Sequence, residues 1–162
     1  MKVARPVLLA LALALVLAVG ERQSRDVIAA NREYHALKLV REMTGSDDIV
    51  DTGTGFVIQR RGMPAGFVHR ISTPAGYNGN IDLLVAVDMS QTVMAVRVTD
   101  HRETPGLGDR IEHDVSSWID QFEGSTEKNQ WAVKPGGDFD AITGATITSR
   151  AVISAVEETL LP

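Results

Sequence analysis

The residues with the clearest chemical potential form the run Thr143-Gly144-Ala145-Thr146, close to the C-terminus. A segment with helical periodicity follows directly, so the run is expected to lead into the N-terminus of a helix. Such an N-terminus offers unpaired backbone N–H groups and the positive end of the helix dipole. Gly144 and Ala145 have no bulk to keep an anion from the backbone, and a phosphate esterified to Thr146 would lie where an anion is already favoured. An ordinary loop and helix cap would have the same sequence, and the spacing does not separate the two.

A second group of functional side chains occupies the loop from His101 to Asp109, whose sequence is His-Arg-Glu-Thr-Pro-Gly-Leu-Gly-Asp. Two glycines, a proline and several polar side chains so close together are typical of a binding loop. The same residues would also serve a tight strand-to-helix connection, in which Pro105 fixes φ and the glycines supply positive φ. Gly106 and Gly108, without a third glycine, do not form a dinucleotide-binding fingerprint.

The third candidate is the segment from Pro74 to Asn80, with the sequence Pro-Ala-Gly-Tyr-Asn-Gly-Asn. It could bring the ring of Tyr77, or its own backbone, close to a flat ligand. A plain turn accounts for the same composition, and the sequence leaves both interpretations open.

Composition disfavours several classes of site and partner. The chain has no cysteine, so it can hold no disulfide, iron–sulfur cluster or thiolate zinc site. Its four histidines show no zinc-type pairing, and no serine motif resembles a nucleophile elbow. The net charge is −5 and the basic residues are scattered, unlike the basic stripe of a nucleic-acid-binding protein. We therefore expect no metal site, no catalytic acid or base and no nucleic-acid partner, and any redox chemistry must come from an organic cofactor.

The first residues have the pattern of a membrane-targeting segment. Lys2 and Arg5 precede Pro6 to Gly20, an uncharged run composed mostly of valine, leucine and alanine. The run is shorter than the roughly 20 residues that span a bilayer as a helix, and its end resembles a signal-peptidase site, so cleavage and retention both stay open. In either case the cations should stay in the cytoplasm and the chain after Gly20 should cross the membrane. We assign residues 1–22 to the membrane anchor and residues 23–45 to a connecting helix.

The remainder, residues 46–162, is predicted to form one α+β domain. Apolar and β-branched residues between turn-forming segments predict four strands, at residues 55–60, 65–71, 81–87 and 92–98. Consecutive strands joined by short turns favour an antiparallel sheet flanked by helices.

Three further elements are predicted after these strands. Residues 109–122 have helical character, and residues 131–134 are predicted to form a strand. The chain closes on a helix with Thr148 or Ser149 as its N-cap. Residues at helical spacing form the apolar face of that helix: Val152, Ile153, Val156 and Leu160.

Together, these motifs and their order resemble the family of the FMN-binding G subunit of the Rnf complex, the ion-translocating ferredoxin:NAD oxidoreductase that is called Rsx in some bacteria. The resemblance covers most of the chain. One departure is the region between the N-terminal helix and the first hairpin, which is short beside that family. The matching features are the apolar N-terminus and the runs Gly76 to Ile81, His101 to Glu112, Trp118 to Phe122 and Gly137 to Thr148.

The resemblance implies a covalent cofactor. In that family a flavin transferase moves FMN from FAD onto the last threonine of the motif Asp-x-x-Ser/Thr-Gly-Ala-Thr and forms a phosphoester. The matching residue is Thr146, and Asp140 stands at the first position of the motif. The helix start at 147–149 would help to neutralise the phosphate. The cofactor-binding residues expected from the resemblance are Thr146, Asp140, Thr143, Gly144, Ala145, Thr148, Tyr77, His101, Glu103, Thr104, Gly106, Leu107 and Gly108.

The same resemblance implies a function and a setting. The chain would be an electron-transfer component, not catalytic alone, in a complex that passes electrons between ferredoxin and NAD and moves ions. Its partners would be the other membrane subunits and a flavin transferase, with the flavin domain on the periplasmic side of the inner membrane and a single membrane pass. The C subunit of the sodium-pumping Nqr quinone reductase and stand-alone exported FMN-binding carriers share the motif and stay alternatives. A non-redox exported binding or assembly module, with Thr-Gly-Ala-Thr as a mere helix cap, is the alternative of another class.

Overall fold

The computed structural model describes residues 4–161, with the side chains of the first helix described only in part. That helix, α1, is Ala4–Thr44, so the connecting helix predicted at residues 23–45 is the C-terminal part of a longer one. The chain divides into two units, Met1–Leu37 and Lys38–Pro162. Residues 1–3 of the predicted membrane anchor lie outside the described residues. Within 4–161, no helix has both the length and the apolar character that crossing a bilayer requires.

The end of α1 is defined by a glycine and two hydroxyl groups. Gly45 adopts a left-handed φ of +62°, and its N–H donates to the carbonyl of Arg41 at 2.9 Å, which closes the helix. Thr44 Oγ1 donates to the carbonyl of Val40 at 2.6 Å. Ser46 Oγ then donates to the carbonyl of Gln59 at 3.0 Å and attaches the chain to the sheet. The helix therefore ends within one residue of the predicted end at residue 45.

A five-stranded antiparallel sheet follows, with its strands in chain order. The predicted antiparallel sheet and its four strands are confirmed. The short first strand was missed, because three residues carry no alternation pattern. The strands are β1, Ile49–Asp51; β2, Gly55–Arg60; β3, Met63–Gly76; β4, Gly79–Asp88; and β5, Val93–Asp100.

The segment between β5 and the last helix differs in part from the prediction. Residues 109–122 were predicted to have helical character, and they contain two short 3₁₀ helices, Gly108–Ile111 and Ser117–Phe122. The side chain of Ser116 separates the two 3₁₀ helices. Its hydroxyl donates to the carbonyl of Arg110 and accepts from the N–H of Trp118. The strand predicted at 131–134 is also wrong, since only an isolated bridge between Val133 and Phe139 forms there.

The last helix, α2, is Thr146–Glu158, and it lies against β3. Its N-cap position is Ala145, which makes no side-chain capping bond. The N-cap predicted at Thr148 or Ser149 is therefore wrong: both residues lie inside the helix, buried, where their hydroxyls bond elsewhere. The predicted apolar residues are buried as expected: Val152, Ile153, Val156 and Leu160.

The two faces of the sheet bury different sets of side chains. On the α2 side, alternate residues of β4 join the apolar stripe of the helix in the main core, which includes Phe122 and Phe139 from the connecting segment. The opposite face buries a smaller set, Phe56, Ile58, Val68 and Leu84. The main core thereby fixes the start of α2 relative to the ends of β3, β4 and β5.

Candidate functional site

Three segments meet at one end of the main core: the tip of the β3–β4 hairpin, the loop after β5, and the start of α2. They surround a cavity of about 470 Å³. Nine of the thirteen residues expected from the sequence line it, although they come from three separate parts of the chain. The lining residues are Tyr77, Glu103, Thr104, Leu107, Gly108, Gly144, Ala145, Thr146, Ile147 and Thr148.

The wall formed by the threonine motif is shaped by one glycine. Gly144 has a φ of +85°, a left-handed conformation that residues with a side chain rarely adopt. A Cβ at this position would lie 3.0 Å from Leu107 Cδ2. Thr146 follows as the first residue of α2, and it is exposed. The motif therefore presents a threonine hydroxyl on a compact backbone turn.

The first turn of α2 has free hydrogen-bond donors. Among the described residues, the backbone N–H groups of Thr146, Ile147 and Thr148 have no hydrogen-bond acceptor, and Ser149 N–H is the first to bond, to the carbonyl of Ala145 at 3.0 Å. Unpaired N–H groups at a helix start carry the positive end of the dipole. This wall can therefore accept an anion.

Ser149 supports this wall from inside the protein. Its hydroxyl is fully buried, donates to the carbonyl of Ala145 at 2.9 Å and accepts from the N–H of Ile142 at 2.9 Å. The turn before α2 is thus fixed by one side chain of the helix itself.

A buried carboxylate, Glu103, is part of the cavity lining. One oxygen accepts the backbone N–H of Asn78 at 3.0 Å, and the other accepts the hydroxyl of Thr148 in a very short hydrogen bond. Only 5% of Glu103 is exposed. The burial of a carboxylate requires such donors.

The loop after β5 is a tight turn built around Thr104. Its carbonyl accepts the N–H groups of Leu107 and Gly108, and its hydroxyl accepts the side-chain amide of Asn78 at 3.3 Å. Positive φ was expected at both glycines, but only Gly106 has it, at +79°. Gly108 is required for space, because a Cβ there would lie 2.7 Å from the Cβ of Glu103.

Four of the expected site residues do not line the cavity. Gly106 closes the loop turn with its N–H on Asp109 Oδ2, and Thr143 is exposed ahead of the glycine. The side chains of the two others, His101 and Asp140, form hydrogen bonds outside the cavity.

His101 lines a separate cavity of about 200 Å³, where its Nε2 lies 2.6 Å from Glu112 Oε1. Asp140 is exposed and pairs with Lys134 Nζ at 3.0 Å, while its backbone carbonyl accepts Trp118 Nε1 at 2.7 Å. The structure therefore places the Asp140 side chain outside the cavity and gives its backbone a structural role in the motif.

A second carboxylate, Asp138, lies in the loop that leads into the threonine motif. The hydrogen bonds from the backbone N–H of Gln130 and the side chain of Asn129 hold the pKa of Asp138 below its usual value, against an opposing effect of desolvation, and the charge of Lys134 adds a smaller lowering. Asp138 therefore stays ionised and fixes the loop that leads into the motif.

Ile147 lines the cavity although it was not among the expected cofactor-binding residues. It is 52% exposed, which is unusual for an isoleucine on a helix with a well-defined buried face. Two sequence features could have identified Ile147 as a lining residue: it falls outside the apolar stripe of α2, and it directly follows Thr146.

A comparison with known families matches residues 76–161, more than half of the chain, to the FMN-binding domain family. The matched region includes every residue that lines the cavity.

Curated relatives extend this comparison. The chain is 48% identical over 111 residues to the G subunit of the ion-translocating oxidoreductase complex of Photorhabdus laumondii, an alignment that covers 65% of this chain and 53% of the relative. The proteins of the same name from Salmonella typhimurium and Escherichia coli K12 are each 48% identical over 107 residues, with 63% and 52% covered. The resemblance to this family that the sequence suggested is confirmed. The chain spans about half the length of the curated relatives that it matches.

Proposed function

The chain belongs to the FMN-binding domain family, and we propose that it is the electron-transfer G subunit of a membrane-bound, ion-translocating oxidoreductase complex of the Rnf type. In this proposal FMN is joined to Thr146 as a phosphoester, and the chain relays electrons between ferredoxin and NAD. The position of Thr146 carries the proposal. Its hydroxyl is exposed at the uncapped start of α2, on the wall of a cavity that lies within the matched region.

The start of α2 fits a phosphate group. Three backbone N–H groups without acceptors among the described residues surround the position of Thr146, and the helix dipole adds a favourable field. Gly144 leaves the approach open, since a Cβ there would fill the space next to Leu107. A phosphoester on Thr146 would therefore find charge compensation without a cationic side chain.

The cavity fits a flat, largely apolar ring. Its volume of about 470 Å³ lies within the range of about 300–1,000 Å³ that is usual for small-molecule sites. Tyr77, Leu107 and Ile147 are exposed apolar side chains among its lining residues. A bound ring would cover part of these side chains and remove apolar surface from water.

The chain itself would supply position rather than acid–base chemistry. FMN, when bound, takes up and releases electrons reversibly, and the protein tunes and orients it. The bond to Thr146 would prevent loss of the cofactor. Thr148 and Ser149 would hold the first turn of α2 in place through their buried hydroxyls.

The proposal includes partners and a location. The other membrane subunits of the complex would donate and accept the electrons, and a flavin transferase would attach the FMN. Lys2 and Arg5 before the apolar run support a single-pass attachment to the bacterial inner membrane, with the flavin domain on the periplasmic side. Co-purification of the other subunits with this chain from native membranes would test the assembly, and protease accessibility in spheroplasts would test the side.

The experiment that tests the covalent flavin is fluorescence in a denaturing gel. The full chain is co-expressed with a flavin transferase, and the wild type is expected to give a fluorescent band at its own mass. Thr146→Ala should give none. Thr54→Ala is a suitable control, because Thr54 is also exposed but lies in the turn before β2, far along the chain from the motif.

The same gel separates the redox proposal from the non-redox alternative. A chain in which Thr-Gly-Ala-Thr is only a helix cap would give no fluorescent wild-type band when the transferase is present and active on another substrate protein. A band that persists in Thr146→Ala would place the flavin on a different residue.

A further inference from the structure

Glu103 is a buried carboxylate for which the proposed electron relay has no use. Its Oε1 accepts the backbone N–H of Asn78 at 3.0 Å, and its Oε2 accepts the hydroxyl of Thr148. The backbone N–H of Asn78 and the hydroxyl of Thr148 are both donors to Glu103, and a glutamate with its formal charge accepts both. The carboxylate is part of the cavity lining.

The two donors come from different segments, each of which contributes a neighbouring residue to the cavity lining. Asn78 follows Tyr77 at the tip of the β3–β4 hairpin, and Thr148 lies two residues after Thr146 in α2. Glu103 therefore connects the hairpin tip that carries Tyr77 to the helix turn that carries Thr146.

The surroundings of Glu103 leave it little freedom. A Cβ on Gly76 would lie 2.9 Å from its Oε1, and a Cβ on Gly108 would lie 2.7 Å from its Cβ. Its backbone N–H donates to His101 Nδ1 at 3.0 Å, and the other ring nitrogen of that histidine bonds Glu112. The position of the carboxylate is thus fixed from both sides, and two glycines provide the space that it occupies.

We propose that Glu103 is a positioning residue that sets the spacing of the two cavity walls and lowers the reduction potential of the flavin bound between them. This inference rests on the proposed function. Uptake of two electrons and one proton makes a flavin more negative by one charge. A negatively charged carboxylate of which only 5% is exposed opposes that added charge, because the Coulomb energy rises as the effective dielectric constant falls.

The electrostatic part is tested on the flavin-loaded full chain by redox titration. Glu103→Gln keeps the shape of the side chain and an acceptor for Asn78, but it removes the charge. We expect the equilibrium to shift at least tenfold toward the reduced flavin. For a two-electron couple this corresponds to an increase of about 30 mV in the reduction potential. An unchanged or lower potential would overturn the proposal.

Glu123→Gln is the matched control. Glu123 is an exposed carboxylate in the segment between β5 and α2, and it does not line the main cavity. Solvent screens such a charge, so the equilibrium constant for flavin reduction should stay within twofold of the wild-type value. A shift equal to that of Glu103→Gln would show a general charge effect and would contradict the role given to Glu103.

The positioning part needs no flavin. In the unloaded chain, Glu103→Ala should accelerate hydrogen exchange of the Asn78 amide at least tenfold, whereas Glu123→Gln should leave it unchanged. Equal exchange in Glu103→Ala and wild type would overturn the connection between the walls. If the wild type accepts no covalent flavin, the proposed function fails, and this exchange experiment still decides the positioning role.

Discussion

Leu107 lies directly over Gly144: its Cδ2 atom is 3.0 Å from the point that a Cβ on Gly144 would occupy. The contact joins the loop after β5 to the turn before α2. Gly144 also has a φ of +85°, and this left-handed backbone conformation favours glycine, whereas a Cβ would only require the end of Leu107 to move by a few tenths of an ångström. The exposure of the Thr146 hydroxyl follows from this turn.

The first prediction concerns that glycine. Gly144→Ala should lower the free energy of unfolding by about 1–2 kcal/mol, which is the cost of a left-handed conformation for a residue with a Cβ. It should also reduce flavin attachment to Thr146. Urea denaturation and gel fluorescence measure the two effects. Gly136→Ala is the control, because its nearest atom would be 3.9 Å away and its φ is not positive. Equal stability losses in the two variants would refute the explanation.

A second prediction concerns the support of the motif from within α2. Ser149→Ala removes the acceptor of the Ile142 N–H and should cost about 1–3 kcal/mol of unfolding free energy, the penalty for a buried donor without a partner. Ser154→Ala, at an exposed position of the same helix, should stay within about 0.5 kcal/mol of wild type. Thermal or urea unfolding followed by circular dichroism would measure both. A Ser149→Ala loss no larger than that of the control would contradict this role.

A third prediction concerns pH and His69, a partly buried residue of β3. Burial lowers the pKa of His69 from its ordinary value of 6.5. The unfolded chain therefore binds a proton at this residue before the folded chain does, so stability is fully present above about pH 6.5 and is lost as the pH falls through the folded pKa. Urea denaturation between about pH 7.5 and 5.5 should show a falling free energy of unfolding. His69→Gln should flatten this dependence, and an equal slope in both proteins would exclude His69 as its source.

Local sequence signals were sufficient for most of the fold. The strands β2 to β5 are bounded by turn-forming residues, and the apolar stripe of α2 repeats at the helical period, so each could be recognised without knowledge of its neighbours. The short strand β1 could not, because its pairing with β2 decides its conformation.

The errors occurred where tertiary contacts decide the backbone. Trp131 and Phe139 stack with ring centroids 4.6 Å apart, and Phe122 packs against both. Apolar residues at 131–134 are therefore covered by aromatic packing rather than by a β-ladder, although their composition resembles a strand. In the same way, the hydroxyl of Ser116 divides the region of predicted helical character into two short 3₁₀ helices.

The site was predictable in its residues but not in its geometry. The threonine motif and the loop after β5 could be recognised from their sequences. The hydrogen bond between Glu103 and Thr148 joins residues 45 positions apart, and no local pattern reports it. The outward direction of Asp140, toward Lys134, was equally invisible, because a motif position does not say where a side chain points.

The most direct test of the central claim is tandem mass spectrometry of the tryptic peptide that ends at Arg150, taken from the chain after co-expression with a flavin transferase. This peptide contains Thr143, Thr146, Thr148 and Ser149, so its fragments distinguish the three threonine hydroxyls from one another and from that of the serine. We expect the flavin phosphate on Thr146 alone, because the exposed hydroxyl and the free N–H groups coincide there. A flavin on either of the other two threonines, or a peptide without flavin beside a demonstrably active transferase, would contradict the account.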